Sequence, residues 1–209
     1  MTLAISTIPS VSPKPRDTPA PVAEALGPRR FTREEYYQMA DMGFFQDRHV
    51  ELIDGEILTM SPQSNAHVIV LSRCVRALDR AFGDGFLVRS QANLRLGNSD
   101  PEPDLAVVPI QAAKGQLPPD SALLIVEISL TSLAYDRGDK ASLYAAAGIA
   151  DYWIVNLTNH TVEVRRQPLA DTAARFGRSY GQVTTLAAPA TVSPLALPDA
   201  AITVADFFA

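Results

Sequence analysis

A single cysteine, Cys74, stands among 209 residues, which excludes an internal disulfide and any multi-cysteine zinc or iron–sulfur site. Three histidines are too few for a histidine-rich metal centre. No window approaches the roughly 18 uninterrupted apolar residues that a membrane span needs. The N-terminal stretch has no charged segment leading into an apolar core, so a secretory signal is not expected and the expected location is the cytoplasm. The familiar catalytic templates are missing as well: there is no G-x-S-x-G elbow, no G-x-x-x-x-G-K phosphate loop, no G-x-G-x-x-G and no H-E-x-x-H. An excess of positive charge is also lacking. The net charge is -5, so the field of the whole protein does not attract nucleic acid or an anionic membrane, and any nucleic-acid contact must be local.

Hydrophobic residues at 47% and charged residues at 20% match a soluble globular chain of one domain with a full core. The first thirty residues hold six of the 16 prolines and carry a net +2, which reads as a mobile arm. Residues 31–209 are then expected to form one domain, with its core over about 50–167 and a C-terminal extension over 168–209 that is rich in Ala and Pro. No internal repeat is visible.

Thr32-Arg33-Glu34-Glu35 is a capping box and predicts a helix to about Asp41, stopped at Gly43. Asp54-Gly55 between Val50–Ile53 and Glu56–Leu58 predicts a type I′ hairpin. From Ser64 to Phe82 the apolar positions Val68, Leu71, Val75, Leu78 and Phe82 recur at spacings of 3 and 4, which predicts a helix closed by Gly83. Strands are expected over Phe86–Leu96, Leu105–Ile110 and Ala122–Ile128, the last a nearly continuous apolar run typical of a buried central strand. Ser132 can cap a second helix that runs to Ala147 and stops at Gly148, before a closing pair over Tyr152–Asn156 and Val162–Arg166. The order predicts a mixed α/β fold, a central mixed sheet flanked by helices with an N-terminal helix and hairpin.

Carboxylates occupy positions where a core should be apolar. Glu127 lies inside Leu123–Ile128, Asp104 opens Asp104–Val108 and Glu51 interrupts Val50–Ile53. A buried charge costs several kcal/mol unless a partner or a metal compensates it. If the strands carrying Asp104 and Glu127 are neighbours, the two acids face each other and, with one more oxygen ligand, suit Mg²⁺ or Mn²⁺. Taken singly, each acid also reads as a strand-end residue turned to solvent or as one capping a neighbouring backbone. Lys140 stands four residues after Asp136 and four before Tyr144; its spacing alone reads as an exposed ion pair. Arg73, Arg76 and Arg80 fall on the side of the first long helix away from its apolar stripe, and Arg89 and Arg95 on the next strand; they read as a solvated face or as phosphate contacts. His67, at the edge of the stripe, reads as a half-buried histidine.

These residues also carry a resemblance. Glu51–Ile57, Met60-Ser61-Pro62 with His67, Pro103–Val108, Val126–Ser129, Ser132–Gly138, Lys140, Tyr144 and Gly148–Val155 resemble the Uma-type family described as restriction endonucleases, within the PD-(D/E)XK nuclease superfamily. The resemblance covers roughly residues 31–167 and implies a restriction endonuclease-like core and metal-dependent hydrolysis of DNA phosphodiester bonds. It implies Asp104, Glu127 and Glu51 as ligands of Mg²⁺ or Mn²⁺. The superfamily's lysine position, two residues after Glu127, is Ser129 here, and Lys140 looks like its migrated replacement, with Asp104, Glu127 and Lys140 as the catalytic set. Ser129, His67 and Tyr144 are accessory candidates. The implied partner is DNA, with no membrane, and cutting both strands of a duplex implies a homodimer. Relief of like charges predicts that Asp104→Ala leaves thermal stability equal or raised. Two other readings stay open: a nuclease-like domain that only binds nucleic acid or protein, and a hydrolase of small phosphate esters.

Overall fold

The structure, a computed structural model, describes residues 27–208. Most of the expected arm lies outside the described residues. Arg30 Nη1 donates to Asp54 Oδ2 at 2.7 Å, and Phe31 N to Gly55 O at 2.8 Å.

The capping box forms as read, with Thr32 Oγ1 accepting from Glu35 N at 3.2 Å and Glu35 Oε2 from Thr32 N at 3.0 Å; it starts α1, Arg33–Asp41. The hairpin β1 (Val50–Ile53) and β2 (Glu56–Thr59) turns through Asp54 at φ 50° and Gly55 at φ 75°, both in the left-handed region that a type I′ turn demands. A Cβ on Gly55 would meet the Arg30 Cβ at 2.7 Å and the Phe31 carbonyl oxygen at 3.0 Å, so the turn has room only for glycine. Asp54 N donates to Ser99 Oγ at 2.8 Å, and Asp100 N to Leu52 O at 2.7 Å. These bonds fasten the hairpin to the segment that leads into Asp104.

Helix α2, Asn65–Phe82, begins where Ser64 Oγ accepts from His67 N at 3.2 Å. Its buried stripe is Val70, Leu71, Cys74, Ala77, Leu78 and Phe82, whereas Val68 is exposed. The expected stripe is therefore rotated, because the small residues Cys74 and Ala77 let the helix lie close to the sheet and turn Val68 outward.

Six strands form the main sheet in the order β3 (Phe86–Ser90), β4 (Leu105–Pro109), β5 (Leu124–Ser129), β6 (Asp151–Asn156), β7 (Thr161–Ala170) and β8 (Arg178–Ala187). β5 and β6 are parallel and every other neighbouring pair is antiparallel. The expected strand over Phe86–Leu96 stops at Ser90, since Gln91 takes a φ of 48°. The parallel pair needs a crossover, supplied by α3 (Leu133–Tyr135), a π-turn (Asp136–Lys140) and α4 (Ala141–Ala146). Alternation along the strands builds two cores. Val107, Val126, Trp153 and Val162 face α2 and α5 (Ala205–Phe208), while Ile125, Tyr152, Ile154 and Tyr180 face α4.

The extension expected over 168–209, within the same domain, forms regular elements. It completes β7, supplies β8, and contributes β9 (Thr191–Val192), β10 (Ile202–Thr203) and α5, with Val192, Ile202 and Phe207 in the core under α2. β8 escapes a hydrophobic-pattern reading because it is an edge strand whose residues are mostly exposed.

Candidate functional site

Glu127 lies on β5 on the same face as Ile125, where two apolar neighbours and the parallel partner β6 surround it. The register Leu105↔Val126 places Asp104, the residue before β4, across from Glu127. Asp104 N donates to Glu127 Oε2 at 3.3 Å and Ile128 N donates to Asp104 Oδ2 at 2.7 Å, so the two acids are locked together through the sheet backbone. His67, in the first turns of α2, places Nε2 3.0 Å from the same Asp104 Oδ2, and its Nδ1 is buried without a partner. Glu51 comes from β1; its Oε1 accepts from Glu102 N at 3.2 Å, and its Oε2 is buried with no partner.

Lys140 joins these acids. Its Nζ donates to Glu127 Oε1 at 2.9 Å and to Glu51 Oε1 at 3.3 Å, with Glu51, Glu127 and Lys140 only 1, 3 and 3% exposed. The exposed ion pair read from spacing is thus corrected: Asp136 and Lys140 are both buried. The physical cause is the π-turn, in which Ala141 N donates to Asp136 O and one residue is added to the helical turn, changing the direction in which Lys140 points. Ser132 does not cap the helix with its side chain; its hydroxyl donates to Asp136 Oδ2 at 2.6 Å, and Ser129 Oγ lies 3.4 Å from it. Tyr144 reaches Glu127 from α4, donating its hydroxyl to Oε1 at 2.6 Å.

The charge states follow from this packing. Burial pushes Glu127 up to about 8 against the pull of the Lys140 ammonium, with Asp104, Asp136 and Glu51 adding repulsion. Burial opposes the charge on Lys140, yet Glu127, Glu51 and Asp136 hold its ammonium well above the ordinary lysine range. Burial likewise raises the Asp136 carboxyl, and raises the Tyr144 phenol, which stays a donor toward Glu127.

Glu51, His67, Asp104, Glu127 and Lys140 line one cavity of about 490 Å³. Sequence reasoning missed His49 and Glu102 in its wall, and read Asp136 there only as an exposed partner of Lys140. His49 Nε2 lies 3.0 Å from Glu102 Oε1, and burial raises the Glu102 carboxyl. Its place in Pro101-Glu102-Pro103-Asp104, two residues before the selected acid, was the available signal. Ser129 is fully buried behind the cavity. Arg89 and Arg95 are not in its wall, and Arg89 donates instead to Asn93 O at 3.2 Å. Arg73, Arg76 and Arg80 line a different cavity. Among the described residues no three His, Cys, Asp or Glu side chains are gathered as metal ligands would be, since Lys140 holds the oxygens of Glu51 and Glu127 toward itself.

A family model, Uma2, described as "Putative restriction endonuclease", matches residues 33–205. A crystal structure of a protein from Anabaena variabilis, itself described as a putative nuclease, aligns with a TM-score of 0.64 at 14% identity over 85% of this chain and 97% of that one. At that identity the likeness speaks for the fold. A search of curated proteins found no match. The mixed six-stranded sheet and its flanking helices are thus a nuclease-type fold.

Proposed function

The chain belongs to the Uma2 family over residues 33–205, and from that membership and the acids gathered around Lys140 we propose that it is a metal-dependent endonuclease hydrolysing DNA phosphodiester bonds. The observation that carries the reading is the buried Lys140 ammonium at 2.9 Å from Glu127 and 3.3 Å from Glu51, beside Asp104 in one cavity. A structural core gains little from such a cluster, since apolar residues of the same volume are commonly as stable or more so.

Asp104, Glu127 and Glu51 would hold Mg²⁺ or Mn²⁺. Their oxygen-only donor set suits a hard cation, and Glu51 Oε2 is a buried acceptor with no hydrogen-bond partner among the described residues. Such a cation, when bound, acidifies a water and offsets charge on phosphate oxygens. Lys140 supplies a second positive charge that can meet a phosphate oxygen or orient the attacking oxygen. Tyr144 holds the Glu127 carboxylate from behind, and Ile128 N and His67 fix one oxygen of Asp104 and so turn the carboxylate. No serine or cysteine nucleophile is required. Cutting both strands of a duplex would take two copies of the chain.

A second reading, a nuclease-like domain that binds without cutting, is favoured by one observation: the described acids are not grouped as metal ligands, and Lys140 neutralises two of them. Wild type and Asp104→Asn, incubated with supercoiled plasmid and with single-stranded DNA in Mg²⁺, Mn²⁺ or EDTA, separate the two. Cleavage that requires metal and disappears in Asp104→Asn is expected. DNA binding that ignores metal, without cleavage in any condition, would support the binding domain instead.

A further inference from the structure

A second cavity, of about 630 Å³, lies on α2 apart from the carboxylates, and its wall is Arg73, Arg76, Asp79 and Arg80 with Asp206 from the first turn of α5. Two acids stand among three arginines there, yet among the described residues none of these arginines forms an ion pair. Arg80 spends its Nε on Arg76 O at 3.1 Å, and among the described residues its outer guanidinium nitrogens have no acceptor and Arg73 Nη1 is buried without one. A buried guanidinium nitrogen without an acceptor is a costly arrangement that an anion would relieve.

The spacing suggests which anion. Positions 73, 76 and 80 on one helix span about 10 Å along its axis at roughly 1.5 Å per residue. A nucleic-acid backbone running along α2 would bring successive phosphates within reach of these arginines. The helix is a single rigid rod whose first turns carry His67 against Asp104, so whatever binds Arg73, Arg76 and Arg80 is held at a fixed distance from the carboxylate cavity.

We propose that the arginine cavity on α2 is a phosphate-binding site for a nucleic-acid strand, distinct from the carboxylate cavity and serving to hold the substrate beside it. This rests on the endonuclease reading for the identity of the substrate, but not for the existence of the site. Asp79 and Asp206 temper its affinity, so that a strand is held and released rather than trapped.

The test is fluorescence anisotropy of a labelled duplex oligonucleotide with the full chain in EDTA, over a series of salt concentrations. Cleavage does not enter this readout, so failure to hydrolyse DNA in metal would sink the nuclease reading while leaving the binding result standing. Arg76 and Arg80 are exposed, so the double variant Arg76→Ala/Arg80→Ala keeps the fold, which circular dichroism verifies. It should bind about tenfold or more weakly, with the slope of log affinity against log salt reduced by about 2, since each phosphate contact contributes about 0.9. Asp206→Asn should bind more tightly than wild type. Unchanged affinity and slope in the double variant would overturn the proposal. So would a site that takes only free phosphate: inorganic phosphate raising the melting temperature of wild type but not of the double variant, while both bind the duplex alike.

Discussion

Glu127→Gln turns the buried acid into a neutral group of the same shape, and its effect on stability should depend steeply on pH. In the folded chain burial raises the Glu127 carboxyl from 4.5 to about 8. Because the folded value is the higher one, the folded state holds the proton more tightly than the unfolded state does. The contribution to stability is therefore full below about pH 4.5 and is lost as the pH rises toward 8. At about 1.4 kcal/mol for each pH unit, the separation corresponds to about 5 kcal/mol, of which about 4 falls between pH 5 and 8. Glutamine does not titrate, and its Oε1 can still accept from Lys140 and Tyr144, so hydrogen bonding is largely kept. The advantage of Glu127→Gln over wild type should thus grow by about 4 kcal/mol from pH 5 to pH 8. Urea denaturation in EDTA, followed by the fluorescence of the single, fully buried Trp153, measures it. A difference that stays constant within about 1 kcal/mol across that range would refute the burial argument.

Lys140→Met should abolish cleavage and, at pH 8, cost about 3–5 kcal/mol in urea denaturation, because it leaves Glu51 and Glu127 buried without their cation. Asp104→Ala should destabilise by about 1–3 kcal/mol, contrary to the like-charge expectation, since Ile128 N loses its acceptor; Asp104→Asn should keep that bond and lose only activity, as paired melting and plasmid assays would reveal. Arg166→Leu should cost about 3–5 kcal/mol by urea titration, because Asp151, fully buried and bonded to Arg166 Nε at 2.8 Å, loses its counter-charge. Gly55→Ala should lower the melting temperature without touching the cavity, because its φ of 75° and the 2.7 Å approach to Arg30 both resist a Cβ; a variant as stable as wild type would contradict the turn geometry.

Features written into a few adjacent residues were legible in the sequence. The Thr32–Glu35 box, the Asp54-Gly55 turn and the Gly148 stop after α4 each express a local conformational preference that tertiary packing only has to accept. Asp104 and Glu127 were legible because a carboxylate within an apolar run stands out, and their meeting followed once β4 and β5 were neighbours. Lys140 was not legible from periodicity, because the π-turn changes the phase of its helix and its partners arrive from β1 and β5. The resemblance singled it out where spacing did not. Glu102 and His49 escaped because their pairing joins the loop before β1 to the one before β4. β8 escaped because an edge strand with one packed face carries too little apolar pattern to announce itself.

Glu51 and Lys140 are 89 positions apart in the chain, whereas Glu127 precedes Lys140 by 13. While the chain is being synthesised, β1 emerges from the ribosome long before the π-turn that carries Lys140, and β8, which closes the sheet over α4, comes later still. A chain that ends between β5 and the π-turn therefore holds the carboxylates without the ammonium that lets them stay buried side by side. The cluster is complete only once the π-turn has joined β1 and β5.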